Sequence, residues 1–246
     1  MTTDGLRLIP AADRVRWRNE WLDSRQSFPF TGNFDLAANA HGLLMVHNDD
    51  TVDPGAGFDT HQHRDTEIIT WVLEGTVVHQ DSAGHSGIIG PGLAQRMSAG
   101  TGILHSERNG AGYRETRPLR VVQMWVPPDE SGRPPSYQEM DVAAELGGNT
   151  LVTVASGMRR HRDTTAITLG NRYAALHVAR LDPGHSIHLP SAPFNHLFLA
   201  RGTVTFESLG PLATGDTVRS TTVGGHRITA TEPAEILIWE MHASFA

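Results

Sequence analysis

The sequence predicts an all-β protein of barrels or sandwiches. Runs of β-branched and aromatic residues recur along the chain, 25 Gly and 14 Pro separate them, and helical periodicity is weak. At 246 residues the chain is long enough for one large β domain or two smaller ones.

The elements follow in order. Residues 42–47 are a short apolar strand, and residues 66–73 are rich in β-branched and aromatic side chains. Glu74-Gly75 reads as a turn into a hairpin partner at 76–80, and residues 81–84 turn the chain again. Residues 119–126 form another long strand, and residues 137–146 are expected to form a helical turn or two. Four prolines between Pro127 and Pro135 mark a linker. Beyond it the strand pattern resumes at 150–155, 173–181, 196–199, 203–207 and 234–240. Gly75-Thr76-Val77 is echoed by Gly202-Thr203-Val204, at an offset of 127 residues. An echo of that length, on both sides of a proline linker, predicts two copies of one domain. The expected division is 1–132 and 133–246.

Composition narrows the function. A net charge of -7 argues against a nucleic-acid surface, since phosphate binding requires a basic face, and leaves room for a protein partner. With no Cys, disulfides, thiolate metal sites and thiol nucleophiles are excluded, so any metal must rest on His and carboxylate. Residues 1–19 are polar and interrupted by Arg and Pro, and no run reaches the ~18 apolar residues of a membrane span. A cytoplasmic protein is expected.

The densest set of potential ligands is His61-Gln62-His63, then Glu67, then His105-Ser106-Glu107. Residues i and i+2 of a strand project from one face. His61 and His63 can therefore point to one centre from one strand, and His105 and Glu107 from a second, with Ser106 facing away. Three imidazoles and one carboxylate suit iron, manganese, nickel, copper or zinc. Four ligands leave room for water or substrate on an ion that prefers five or six. The Gly-rich run Ser98-Ala-Gly-Thr-Gly102 places the second pair after a turn, and precedes a strand instead of a helix, which argues against a nucleotide cradle. His47, His79 and His85 read as surface or hydrogen-bonded histidines. Ile69, Trp71 and Leu73 share strand parity with Glu67 and read as barrel core.

Residues 57–67, Val72-Leu-Glu-Gly75, the Gly87 to Gly92 segment and Gly102-Ile-Leu-His105 resemble the two cupin motifs. More narrowly, Leu73 to Ser82, Met97 to Gly102, His105-Ser-Glu107, Trp21 to Phe28 and Asn48-Asp-Asp50 resemble the pirin family, specifically from about residue 20 to 126. The resemblance implies two packed cupin barrels, each a double-stranded β-helix or jelly roll. The first would bind one divalent ion, Fe2+ above the alternatives Zn, Mn, Ni and Cu, through His61, His63, His105 and Glu107. Glu67 is a ligand in many cupins but not usually in pirins, so it is expected beside the site, either bonded to a ligand or held by a structural partner. In the second half His188 falls opposite His61, Pro190 opposite His63 and Phe194 opposite Glu67. His185, His188 and His196 are therefore not expected to hold a metal, and the second barrel is expected to be structural.

Pirin-like bicupins are associated with quercetin 2,3-dioxygenase activity, which opens the flavonol ring with O2 and releases carbon monoxide. The resemblance thus implies an oxidoreductase with a small phenolic substrate and O2, in which Glu107 accepts the proton of the flavonol 3-hydroxyl. The family also includes a non-catalytic metal-binding regulator that recognises a protein partner, which is the alternative expectation.

Overall fold

The computed structural model describes residues 2–3, 5–29, 35–164, 167–221 and 224–245. Four antiparallel-dominated sheets pair into two barrels. In the first barrel a seven-stranded sheet runs Ser136–Asp141, Leu93–Ser98, Glu67–Glu74, Leu119–Val126, Val46–Val52, Leu22–Gln26 and Val15–Arg18. It faces a four-stranded sheet of Gly57–His63, Ile103–Asn109, Val77–Asp81 and Ser86–Ile89. The second barrel repeats this plan with an eight-stranded sheet centred on Phe194–Arg201, Ala234–Met241 and Ala174–Leu181, and a four-stranded sheet from Ser186–His188 to Gly210–Ala213. No helix among the described residues is long and apolar enough to cross a membrane.

The two large sheets lie back to back. Alternation along Glu67–Glu74 sends Ile69, Trp71 and Leu73 towards the other barrel, where they join Val122, Met124, Leu176, Phe198, Leu237 and Trp239 in one core. The expectation of barrel core for Ile69, Trp71 and Leu73 is thus corrected: their core lies between the barrels. Thr70 and Val72, on the other face of the same strand, point into the first barrel. Both tryptophans of the shared core bond across it. Trp71 Nε1 donates to Glu235 Oε1 at 2.7 Å, Arg180 Nε lies 3.2 Å from Glu235 Oε2, and Trp239 Nε1 meets Met124 Sδ at 3.1 Å.

The Gly-Thr-Val echo marks the same hairpin in both barrels. Gly75 (φ 75°) and Gly202 (φ 79°) both occupy the left-handed region. A Cβ on either would press on the carbonyl of the proline before the next central strand, Pro118 O at 3.0 Å or Pro233 O at 2.1 Å. Only glycine meets both requirements.

The strands cross the expected 132/133 division at two points. Leu6–Ile9 pairs with Thr217–Thr221 in the second barrel, and Ser136–Asp141, beyond the prolines, pairs with Leu93–Ser98 in the first. The helical reading of 137–146 is correct only for Ala143–Leu146, because residues 136–141 are captured as a sheet edge. The proline segment is a pinned strap: Thr101 N donates to Arg133 O, Gly132 N to Asp65 Oδ1, and Asp129 N to Gly170 O. The apolar reading of 42–47 is displaced as well. The strand is Val46–Val52, which carries the polar run His47 to Thr51 and pairs with Leu22–Gln26 and Leu119–Val126 on its two edges.

Trp71 is fully buried and bonded across the barrel interface. Its replacement by Ala removes a large side chain and one partner of Glu235. Trp71→Ala is expected to lower stability by about 3–5 kcal/mol, read as a lower midpoint in urea unfolding with an unchanged slope.

Candidate metal centre

The site forms where Gly57–His63 and Ile103–Asn109 pair inside the first barrel. His105 stands opposite His61, and Ile103 opposite His63. The register then slips, so that Glu107 faces Phe58, and the extra residue lies between Phe58 and His61. Such a bulge re-aims the side chains beside it. On the other flank of the Ile103–Asn109 strand, His105 faces Asp81 and Glu107 faces His79. Ile103, His105, Glu107 and Asn109 are buried in alternation, as the i, i+2 pattern requires, and Ser106 falls on the opposite parity.

His61, His63 and His105 converge, with one nitrogen of each within 4.8 Å of the others. The ring centroids are 4.8 Å apart for His61 and His63, 4.4 Å for His61 and His105, and 5.0 Å for His63 and His105. His61 Nδ1 lies 2.8 Å from the Asp59 carbonyl, which can only accept, so the proton sits on Nδ1 and the Nε2 lone pair is free. His63 Nε2 and both ring nitrogens of His105 are buried and have no hydrogen-bond partner. Burial, and then the neighbouring imidazoles, push His105 down to about 3; burial and His61 push His63 down to about 4. Converging imidazoles, two of them with buried, unpartnered nitrogens and lowered pKa values, are what a first-row divalent ion requires of its ligands, and so the donor set fits such an ion.

Glu107 shares the centre through His105 and does not join the three-histidine group. Its nearest cluster is with His79 and His105, whose donor atoms also lie within 4.8 Å of one another. Gln123 Nε2 donates to Glu107 Oε2 at 2.6 Å, Thr70 Oγ1 lies 3.4 Å from Oε1, and Trp125 Nε1 donates to Gln123 Oε1 at 3.1 Å. Burial raises the Glu107 carboxyl above its ordinary value, against the opposing effects of His79 and Gln123.

His79, expected to be a surface or hydrogen-bonded histidine, is fully buried against the centre with its Nδ1 unpartnered. Its Nε2 lies 3.5 Å from Asp81 Oδ2, and Asp81 also binds His85 Nδ1 at 3.0 Å. The clue was its place on the hairpin Val77–Asp81, on the same parity as Asp81. Gln123 and Thr70 were missed because neither residue type signals chemistry alone.

Glu67 lies elsewhere. Its carboxylate accepts Gly170 N at 3.0 Å and lines a separate interdomain cleft with Arg96. Of the two expectations, the structural partner agrees with the structure and the place beside the site does not; the reason is parity, since Glu67 shares its face with Ile69 and Trp71, which point to the second barrel. His185, His188 and His196 do not converge. His196 is buried between the barrels 4.6 Å from His47, ring to ring, whereas His185 and His188 are exposed.

A cavity of about 450 Å³ opens from the centre. Leu22, Val46, Phe58 and Trp125 give it apolar walls, and Trp17 stands at its rim. Ser24, Gln26, Asn48, Asp50 and Gln123 form a polar wall. The Asp50 carboxyl is raised to about 7 by burial, with Asp49 and Glu107 adding to the rise and a Ser24 hydrogen bond opposing it.

These shifts set opposing pH dependences. His63 and His105 stay neutral in the fold but protonate near 6.5 when unfolded, so their contribution to stability is lost as pH falls from about 6.5 through 4 and 3. Asp50 holds in the fold a proton that the unfolded chain releases near 3.8, so its contribution is lost as pH rises from about 4 to about 7. Removing Asp50 exposes the histidine effect. Metal-free Asp50→Asn is expected to lose stability more steeply than the wild type on acidification from pH 6.5 to 4, measured by thermal melts across that range.

Residues 10–126 match the family model described as Pirin. The chain is 54% identical over 233 residues, 95% of its length and 93% of the relative's, to "Putative quercetin 2,3-dioxygenase Rv0181c" of Mycobacterium tuberculosis. It is 44% identical over 140 residues, 57% of the chain and 59% of the relative, to the protein named quercetin 2,3-dioxygenase in Escherichia coli K12. The crystal structure of bacterial pirin YhhW from Escherichia coli in complex with nickel(II) superposes with a TM-score of 0.83 at 30% identity, covering 98% of this chain and 100% of that one. The match in sequence, in both barrels and in a metal-bound relative establishes that this chain belongs to the pirin family of the cupin superfamily.

Proposed function

We propose that the chain is a metal-dependent dioxygenase that acts on flavonol-like phenolics, in the manner of a quercetin 2,3-dioxygenase. The observation that carries this reading is the conjunction of three converging imidazoles and one buried, raised carboxyl at the end of an aromatic-walled cavity. The names of the relatives point the same way.

His61, His63, His105 and Glu107 would hold the ion, with Fe2+ the proposed native metal. When bound, the ion supplies Lewis acidity that lowers the pKa of a coordinated hydroxyl. The chain's own residues do the rest. A cavity of about 450 Å³ accommodates a small aromatic ligand. Phe58 and Trp125, with Leu22 and Val46, offer apolar surfaces to planar rings and displace water from them. Glu107, raised by burial, is poised to take the proton of the substrate hydroxyl and to keep it until the product leaves. Gln123 holds that carboxylate at 2.6 Å, and Trp125 in turn holds Gln123, so the aromatic wall and the base are mechanically joined. His79 backs the same centre from the Asp81 side.

Metal-loaded protein is expected to consume quercetin and O2 under air, and His61→Ala to abolish this together with stoichiometric metal content by elemental analysis. Loss of flavonol no faster with wild type than with His61→Ala would overturn the proposal. Gln123→Leu leaves all four ligands in place but frees the Glu107 carboxylate. It is expected to retain metal while losing about 10–100-fold in turnover, read in the same oxygen-uptake assay.

A further inference from the structure

The polar wall of the cavity holds acceptors that the protein leaves unused. Antiparallel pairing sets Ser24 opposite Asp50 and Gln26 opposite Asn48 on one side, and Val121 opposite Asp50 and Gln123 opposite Asn48 on the other. Gln123 is committed to Glu107 and Trp125, and Gln26 Nε2 lies 3.4 Å from Ser24 Oγ. Asp50 is only 4% exposed and lines the cavity with Oδ1 unpartnered; Asn48 Oδ1 lines the same cavity, buried and unpartnered. A buried acceptor without a donor is costly, and one facing a ligand cavity is satisfied by a donor on the ligand.

We infer that Asp50 and Asn48 are a hydroxyl-recognition wall, which hydrogen-bonds to phenolic hydroxyls of the substrate away from the group held at the metal centre. The inference rests on the flavonol reading and narrows it: the substrate is a polyhydroxylated aromatic, not a flavonol bare of ring hydroxyls. The two residues stand i, i+2 on one strand, roughly 6.6 Å apart along it, so they address two positions of one ring edge. A site built to bond a hydroxyl discriminates against the analogue that lacks it, because the protein acceptors are then left unpaired.

The test uses metal-loaded protein under argon and two probes, quercetin and 3-hydroxyflavone. Both carry the 3-hydroxyl and 4-keto groups, and only quercetin has further ring hydroxyls. Binding is read from quenching of tryptophan fluorescence, since Trp17 and Trp125 line the cavity. Wild type is expected to prefer quercetin by about tenfold or more. Asp50→Leu is expected to flatten that preference with its affinity for 3-hydroxyflavone unchanged, Asn48→Leu to reduce it, and Asp50→Asn, which keeps an acceptor, to restore much of it. Equal affinity of wild type for the two probes overturns the inference, as does a wild-type preference kept by Asp50→Leu, or an equal loss of both probes in it. If Asp50→Leu does not fold by circular dichroism, Asn48→Leu decides by the same criterion. A wild type that binds neither probe has a different signature: it overturns the flavonol reading itself and takes this inference with it.

Discussion

Two neighbouring strands, Glu67–Glu74 and Leu119–Val126, must satisfy opposite environments on their two faces, and the molecule is organised around that constraint. One face supplies Ile69, Trp71, Val122 and Met124 to a dry core shared with the second barrel. The other supplies Thr70 and Gln123 to a carboxylate inside the first barrel. A strand offers no third direction, so every residue on it is committed to one of these roles by parity. The second barrel thereby acquires a physical purpose. Its large sheet covers the back of the sheet that carries the polar wall, and Glu235 reaches across to anchor Trp71.

Electrostatics follow from that enclosure. A set of imidazoles buried without partners remains uncharged at neutral pH, and an uncharged imidazole is a ligand where a charged one is not. The carboxyls of the same barrel respond with the opposite sign, because burial favours their protonated forms. Burial therefore moves the acids and the bases of one barrel in opposite directions. That separation of protonation states is the arrangement from which acid–base chemistry at near-neutral pH is built.

The second rank of residues around the centre explains how so few ligands are held in place. Gln123 ties Glu107 to Trp125, while Asp81 ties His79 to His85, and Asp59 fixes the tautomer of His61 through its backbone carbonyl. None of these residue types announces such a role in a linear reading. Gln123 sits in a mostly apolar strand, and His79 is one histidine among 14. Glu67 shows the converse: a carboxylate whose residue type suggests a ligand, turned to the opposite face and bonded to Gly170.

By itself the sequence determined the all-β class, the doubled hairpin marked by Gly75 and Gly202, the exclusion of thiolate chemistry, and the two i, i+2 pairs from which three histidines converge. These are local matters, decided by residue type, by backbone freedom and by the two-residue period of a strand. Only the tertiary structure decided which face of Glu67–Glu74 meets the cavity, that Glu107 turns to Gln123 and His79, that Asp50 lines the polar wall, and that each half lends a strand to the other's sheet. Those outcomes depend on register and on partners far along the chain. A shift of one residue in pairing would exchange the two faces with no change in local pattern.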